Sequence, residues 1–211
     1  MIDAIILDVD GTLWDSTGVV AGAWTKAAVE CGMTDAVITA DQLKGLFGKT
    51  MDAIGEALFP DTDASTRNSI MDKCCIYEHE AVEANEADIT YPGVVDTIRT
   101  SEVPMAIVSN CQSGYIELFM KKTGVTSYIK DIECFGNTGE GKASNIKRVV
   151  ERNGWKHPVY VGDTAGDLEA CREAGVPFIW ASYGFGLVDP RDALAVADEF
   201  AEVWDVVRYS A

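Results

Sequence analysis

Histidine is nearly absent from this chain: His79 and His157 are the two among 211 residues. Six cysteines are present (Cys31, Cys74, Cys75, Cys111, Cys134 and Cys171), but none of them form a C-x-x-C pair. Together these scarcities argue against a zinc site, and the cysteines read as small core residues of a reducing compartment. Basic residues are also few, 17 Lys and Arg against 34 Asp and Glu, for a formal net charge of −17. A surface this acidic repels nucleic-acid phosphates and anionic membranes, so neither is an expected partner. No apolar run reaches the length of a membrane span. The first residues enter a strand directly, with no basic stretch followed by an apolar segment, so no secretory signal is visible and a cytoplasmic location is expected. Apolar residues at 47% and charged residues at 24% are ordinary for a globular chain. The length suits one domain, with or without an insertion.

What is present is a set of polar residues at the ends of apolar runs. Ile5-Ile6-Leu7 reads as a buried strand and leads into Asp8-Val9-Asp10-Gly11-Thr12-Leu13. Two carboxylates about 4 Å apart repel by roughly 1 kcal/mol in water and about 4 kcal/mol near a protein surface. Such a pair is tolerated where a cation sits between its members or where the chemistry uses both. Asp-Gly is also common turn chemistry. Met105-Ala106-Ile107-Val108 ends in Ser109-Asn110, which alone is equally a turn or helix-start signal. Lys142 opens a helical pattern after Gly139-Glu140-Gly141, where a solvated lysine is the plain alternative. Val159-Tyr160-Val161 ends in Gly162-Asp163-Thr164-Ala165-Gly166-Asp167, in which Asp163-Thr164 could simply cap the next helix.

From about Val94 onward, short apolar runs alternate with helical segments. Helices are expected over 94–100, 115–122, 142–152 and 167–173, with strands at 105–108, 129–135, 159–161 and 178–180. That alternation predicts an α/β fold, a Rossmann-like parallel sheet with helices on both faces. In such sheets ligands bind beyond the carboxyl ends of the strands, and all four polar motifs fall there. Residues 14–88 break the pattern. They carry apolar residues at helical spacing (Trp24, Ala27, Ala28 and Cys31; then Ile70, Cys74 and Tyr77), no buried strand, and 14 acidic against 5 basic residues. Tyr91-Pro92-Gly93 marks the return to alternation. The expected organisation is a catalytic core over 1–13 and 89–211 with an all-helical insertion over 14–88.

Asp, then Ser, then Lys, then Asp-x-x-x-Asp, each beside a strand or helix terminus, resembles the haloacid dehalogenase superfamily of phosphohydrolases over nearly the whole chain. The resemblance implies that 14–88 is a helical cap and that the protein is a Mg²⁺-dependent phosphatase for a small phosphorylated metabolite, similar to phosphoglycolate phosphatases. Asp8 would be the nucleophile, forming an aspartyl-phosphate. Asp10 would protonate the leaving oxygen and then activate water. Mg²⁺ would be held by the Asp8 carboxylate, the Asp10 backbone carbonyl and Asp163. Asp167 would support the metal through water or orient Lys142. Ser109 would give a hydroxyl to the phosphate, Lys142 would balance its charge, and Asn110 would shape the pocket. Thr12 and Lys49 are further candidates for binding substrate, Lys49 because Gly45-Leu46-Phe47-Gly48-Lys49-Thr50 resembles a cap loop that contacts substrate in related enzymes. Trp14, Trp24 and Phe47 would line the cavity or pack the helical core, and Cys111 reads as a packing residue. Ala143-Ser144 stand where many relatives place a proline after the motif lysine, which leaves the reach of Lys142 open.

Three other readings compete. A sugar phosphomutase of the same branch would return the phosphoryl group to substrate. A phosphonate-cleaving enzyme would need a Schiff-base lysine, for which Lys49 and Lys26 are the early candidates. A phosphate-accepting receiver module also uses an acidic cluster, a hydroxyl residue and a lysine, but not in this order, and needs no cap of some 75 residues. A dehalogenase would not need the acid/base role that Asp10 fits. A monomer is the simplest assembly, with a homodimer as the alternative.

Overall fold

A computed structural model describes residues 1–209. Among them, strands β1 (Ala4–Leu7), β2 (Met105–Ser109), β3 (Ile129–Cys134), β4 (Pro158–Gly162), β5 (Phe178–Ala181) and β6 (Ala195–Ala197) form one sheet. Its order is β3-β2-β1-β4-β5-β6, and every pairing is parallel. Each residue of β1, β2, β4 and β5 is buried, while the edge strands β3 and β6 keep partly exposed positions. Strands covered on both faces need apolar side chains at every position, which is why the central four read as unbroken apolar runs.

Successive side chains point to opposite faces. Ile5 and Leu7 join Ile107, Val159 and Val161 in a layer packed by α5 (Val94–Thr100), α6 (Tyr115–Thr123) and α10 (Glu202–Tyr209). Ile6, Ala106, Val108 and Tyr160 face the other way, against α8 (Lys142–Asn153) and α9 (Ala165–Ala174). The fold is therefore α/β and Rossmann-like. The chain winds from β1 toward β3 on one side and from β4 toward β6 on the other. Reversal at β1 and β4 opens a crevice beyond their carboxyl ends.

Most boundaries fall within a residue of expectation, and two of the shifts have a visible local cause. β3 stops at Cys134 because Phe135 begins a helical turn, α7 (Phe135–Thr138). The last core-flanking helix starts at Ala165, ahead of Asp167, because the Thr164 side chain caps it. β6 and α10 were not expected from the apolar pattern. A three-residue, half-exposed edge strand carries too little apolar periodicity to register.

Between β1 and α5 lie α1 (Thr17–Glu30), α2 (Ala40–Lys44), α3 (Met51–Leu58) and α4 (Ala64–Ala84). Trp24, Ala27 and Ala28 of α1 and Ile70 and Cys74 of α4 are fully buried in the same apolar cluster. Cys31 and Tyr77 are only partly buried at its margin. The two connections to the sheet run side by side. The Asp15 N–H donates to the Ile89 carbonyl at 2.9 Å, and the Tyr91 N–H donates to the Leu13 carbonyl at 3.1 Å. No helix among the described residues is long and apolar enough to cross a membrane.

Leu7 is fully buried immediately before Asp8. Leu7→Ala is expected to lower the unfolding free energy by about 2–5 kcal/mol. The check is a fall in denaturation midpoint with an unchanged slope.

Candidate active site

Asp8 follows β1 at the centre of the sheet, and its N–H still donates to Val161 of β4 at 2.9 Å. Its carboxylate is 1% exposed. Oδ1 lies 3.0 Å from the Lys142 ammonium, and Oδ2 has no hydrogen-bond partner. Burial pushes its pKa up to about 6, against the pull of Lys142 and with the Asp167 charge adding to the rise. Lys142 is the first residue of α8, entered from Gly141 in an extended conformation, and its side chain is buried. No proline is needed for that entry, so Ala143 simply continues the helix. Burial pulls the Lys142 ammonium down, but Asp167 and Asp8, both in ion-pair contact with it, outweigh this and hold its pKa above the ordinary lysine range.

Asp167 is aimed by the cap of α9. Its Oδ2 accepts from the Thr164 N–H at 2.9 Å and from the Thr164 hydroxyl at 2.7 Å, while its own N–H donates to that hydroxyl at 3.2 Å. This reciprocal capping box leaves Oδ1 to meet Lys142. Asp163 is fixed differently. Its Oδ2 accepts from the N–H groups of Phe185 (2.7 Å) and Gly186 (3.3 Å), and Oδ1 accepts from the Thr12 hydroxyl at 3.4 Å. Gly11, at φ +78°, leaves the space this carboxylate fills: a Cβ there would sit 2.3 Å from Asp163 Oδ2. One at Gly184 would sit 2.3 Å from Asp163 Cβ. Burial first, then the Asp167 and Asp8 charges, raise the Asp163 pKa to about 8.

One oxygen from each of Asp8, Asp163 and Asp167 lies within 4.8 Å of the others. Three buried carboxylates facing one ammonium leave an excess of negative charge that a divalent cation would neutralise. An oxygen-only donor set with an orphaned Asp8 oxygen suits a hard ion such as Mg²⁺.

The Asp10 side chain is not part of this convergence. Its Oδ1 turns to the Trp14 indole N–H (3.1 Å), the Ser16 hydroxyl (3.1 Å) and the Tyr115 hydroxyl (2.8 Å). Burial raises its pKa to about 7, opposed by the Tyr115 hydrogen bond and reinforced by the Asp8 charge. A carboxyl group titrating there can carry a proton at neutral pH and also release it.

The helical segment between β1 and α5 meets this face. The Asn110 side-chain amide donates to the Gly48 carbonyl at 2.9 Å. Asp10, Ser109, Lys49, Phe47, Trp24 and Glu78 are among the residues around a small, partly open cavity of about 20 Å³. That is room for about one water molecule. Lys49 is exposed at its rim, Ser109 is 4% exposed at the end of β2, and Glu78 on α4 is 3% exposed. Burial, with the Asp10 charge adding to it, lifts the Glu78 pKa to about 8.

The haloacid dehalogenase-like hydrolase family profile matches residues 5–181, which spans every one of these carboxylates and Lys142. The chain belongs to that family. Phosphoglycolate phosphatases are among its curated relatives. The one from Agrobacterium fabrum is 26% identical over 192 residues, covering 85% of this chain and 80% of its own. The one from Vibrio parahaemolyticus is 25% identical, covering 100% and 98%. Solved family folds superpose closely. A haloacid dehalogenase-like hydrolase from Streptococcus pneumoniae gives a TM-score of 0.80 at 20% identity, covering 100% of this chain and 99% of that one. CbbY from Rhodobacter sphaeroides, solved in complex with phosphate, gives 0.79 at 18% identity, covering 96% of each chain.

Of the residues singled out by sequence, Asp8, Lys142, Asp163 and Asp167 meet in one buried cluster of this hydrolase. Asp10, Ser109, Asn110 and Lys49 surround the adjoining cavity. The Thr12 hydroxyl faces Asp163 instead of open space. Sequence reasoning missed Ser16 and Tyr115, whose hydroxyls no local signal connects to Asp10. It also missed the loop after β5, where the paired glycines of Tyr183-Gly184-Phe185-Gly186 were an available sign of close backbone approach. Glu78 was detectable too, since it stands in register with buried Ile70, Cys74 and Val82 on α4.

The raised carboxyl groups set a pH dependence. Asp8, Asp10 and Asp163 titrate at about 6, 7 and 8 against a reference value of 3.8. Their contribution to stability is therefore fully present below about pH 4 and is lost as pH rises through 6 to 8. The metal-free protein is expected to melt lower at pH 8.5 than at pH 5.5. Mg²⁺ is expected to raise Tm more at pH 8.5, and Asp163→Asn to remove most of that gain. Calorimetry with Mg²⁺ and with chelator at the two pH values checks this.

Proposed function

We propose that this hydrolase is a Mg²⁺-dependent phosphatase of small phosphomonoesters, working through an aspartyl-phosphate on Asp8. The observation that carries the proposal is Asp8 itself. One of its oxygens lies on Lys142 and the other is buried without a partner, beside a second carboxyl group, Asp10, that can hold a proton near neutrality. The names of the curated relatives support a substrate as small as phosphoglycolate.

Attack by a carboxylate on an anionic phosphoryl group is opposed by charge, and the catalysis asked of the protein is chiefly positioning and neutralisation. A divalent cation held by Asp8, Asp163, Asp167 and the Asp10 carbonyl would supply positive charge against that repulsion. In the first step an Asp8 oxygen forms a bond to phosphorus while the ester P–O bond breaks. Protonated Asp10 gives its proton to the departing oxygen. In the second step Asp10, now a carboxylate, accepts a proton from the water that attacks phosphorus, and phosphate leaves as the Asp8 carboxylate is regenerated. Trp14, Ser16 and Tyr115 keep Asp10 in one orientation through both transfers. Lys142 and Ser109 receive the phosphoryl oxygens.

Residues 14–88 act as a cap in this reading. A cavity with room for one water holds no phosphomonoester, so substrate enters when the Asn110–Gly48 contact opens, and closure excludes bulk solvent from the reaction. A phosphonate-cleaving role is disfavoured. Lys26 lies over the Tyr77 ring at 4.7 Å and Lys49 is exposed, so neither has the buried setting that activates a Schiff-base lysine.

Phosphate release from a panel of small phosphomonoesters tests the proposal. Turnover is expected with Mg²⁺ and not with chelator. Asp8→Asn is expected to abolish it with the fold intact, and Asp10→Asn to lower it by about 10²- to 10⁴-fold. Appreciable turnover by Asp8→Asn would remove Asp8 as nucleophile.

A further inference from the structure

The cap side of the cavity holds a buried acid that the chemistry above does not use. Glu78 sits on the apolar stripe of α4, four residues from Cys74 and from Val82, a position where a carboxyl group is unfavourable without a purpose. One of its oxygens accepts the Trp24 indole N–H at 3.1 Å, which fixes the side chain against α1. The same cavity is lined from the core by Asp10, Asn110 and Gln112. Asn110 Oδ1 is buried there with no hydrogen-bond partner, and the Gln112 side-chain amide is directed at Glu78. Orphaned groups of this kind are paired by something that enters the site. Because Asp10 faces this cavity, the leaving group whose oxygen it protonates must lie there.

The wall that meets that leaving group offers Asn110 Oδ1 as an acceptor and, once ionised, the Glu78 carboxylate, with the Gln112 amide beside Glu78. The one basic side chain lining the cavity, Lys49, is exposed. A hydroxyl on the substrate can donate to Asn110 Oδ1 or to ionised Glu78. A carboxylate can only accept, and above pH 8 it would lie against the Glu78 charge.

Resting on the phosphatase reading, we propose that Glu78 determines substrate class: the enzyme takes phosphomonoesters whose leaving group presents a hydroxyl, and the ionised Glu78 carboxylate disfavours those presenting a carboxylate. The relatives' substrate, phosphoglycolate, belongs to the disfavoured class. Glu78 contacts the part of the substrate away from phosphorus and takes no part in bond making.

Two esters of one skeleton test this, 2-hydroxyethyl phosphate and phosphoglycolate, with p-nitrophenyl phosphate as reference. Each is assayed with Mg²⁺ at pH 6.5, where Asp10 holds its proton, and at pH 8.5, above the value of about 8 at which Glu78 titrates. At pH 8.5 wild type is expected to favour the hydroxyl ester in kcat/KM by about tenfold or more. Glu78→Gln keeps the shape and the acceptor for Trp24 but removes the charge. It is expected to shrink the ratio by raising kcat/KM for phosphoglycolate, chiefly through KM, a gain that damage to the fold would not produce. A wild-type preference for phosphoglycolate, or the same ratio in both proteins, would overturn the assignment while hydrolysis of p-nitrophenyl phosphate upholds the phosphatase reading. No release from any of the three by wild type would instead defeat that reading, and this inference with it.

Discussion

Around the Lys142 ammonium, two carboxylates from different parts of the chain are held at the carboxyl edge of the sheet. Asp8 arrives from β1 and Asp167 from the first turn of α9, and both touch the same buried nitrogen. Removing the lysine would leave two buried carboxylates with no counter-charge, an arrangement a protein interior does not tolerate. Much of the local architecture serves this contact. The Thr164–Asp167 capping box orients one carboxylate, the β1–β4 ladder positions the other, and the entry of α8 at Gly141 delivers the ammonium between them. Asp163, braced by the loop after β5, then adds a third carboxyl group whose ionisation Lys142 alone does not balance, and its pKa rises to about 8. That imbalance is the physical ground for expecting a divalent cation.

A second constraint operates across the crevice. Asp10 belongs to the same turn as Asp8, yet its side chain is engaged by Trp14 and Ser16 at the root of the insertion and by Tyr115 at the start of α6. The group assigned to proton transfer is thereby tied to the connection about which the insertion would move. The Gly48 carbonyl, held by Asn110, fastens the opposite side of the same closure. Under the proposed function, these few contacts would couple cap position to acid/base geometry.

The central strands were readable from sequence because burial on both faces demands apolar residues at every position. The half-exposed β6 was not, because it lacks that signature. Asp8, Lys142, Asp163 and Asp167 could be grouped because each stands at a strand end or helix start, and the topology of a parallel sheet brings such termini together. What lay out of reach was pairing across long separations. Tyr115 is 105 residues from Asp10, and Phe185 is 22 from Asp163. Helical periodicity also could not show that the Asn110 amide would hold a cap carbonyl, or that the Thr12 hydroxyl would face Asp163. Glu78 was visible as an acid on an apolar stripe, but its meaning depended on the cavity that α4 and β2 form together.

The central claim is that Asp8 carries the phosphoryl group during turnover. The most direct measurement is to quench Asp10→Asn during reaction with acetyl phosphate and Mg²⁺, reduce with borohydride, and sequence the peptides by mass spectrometry. The account predicts conversion of Asp8, and no other aspartate, to homoserine. Label on Asp10 or Asp163, or phosphate released with no residue ever labelled under conditions that trap acyl phosphates, would contradict it.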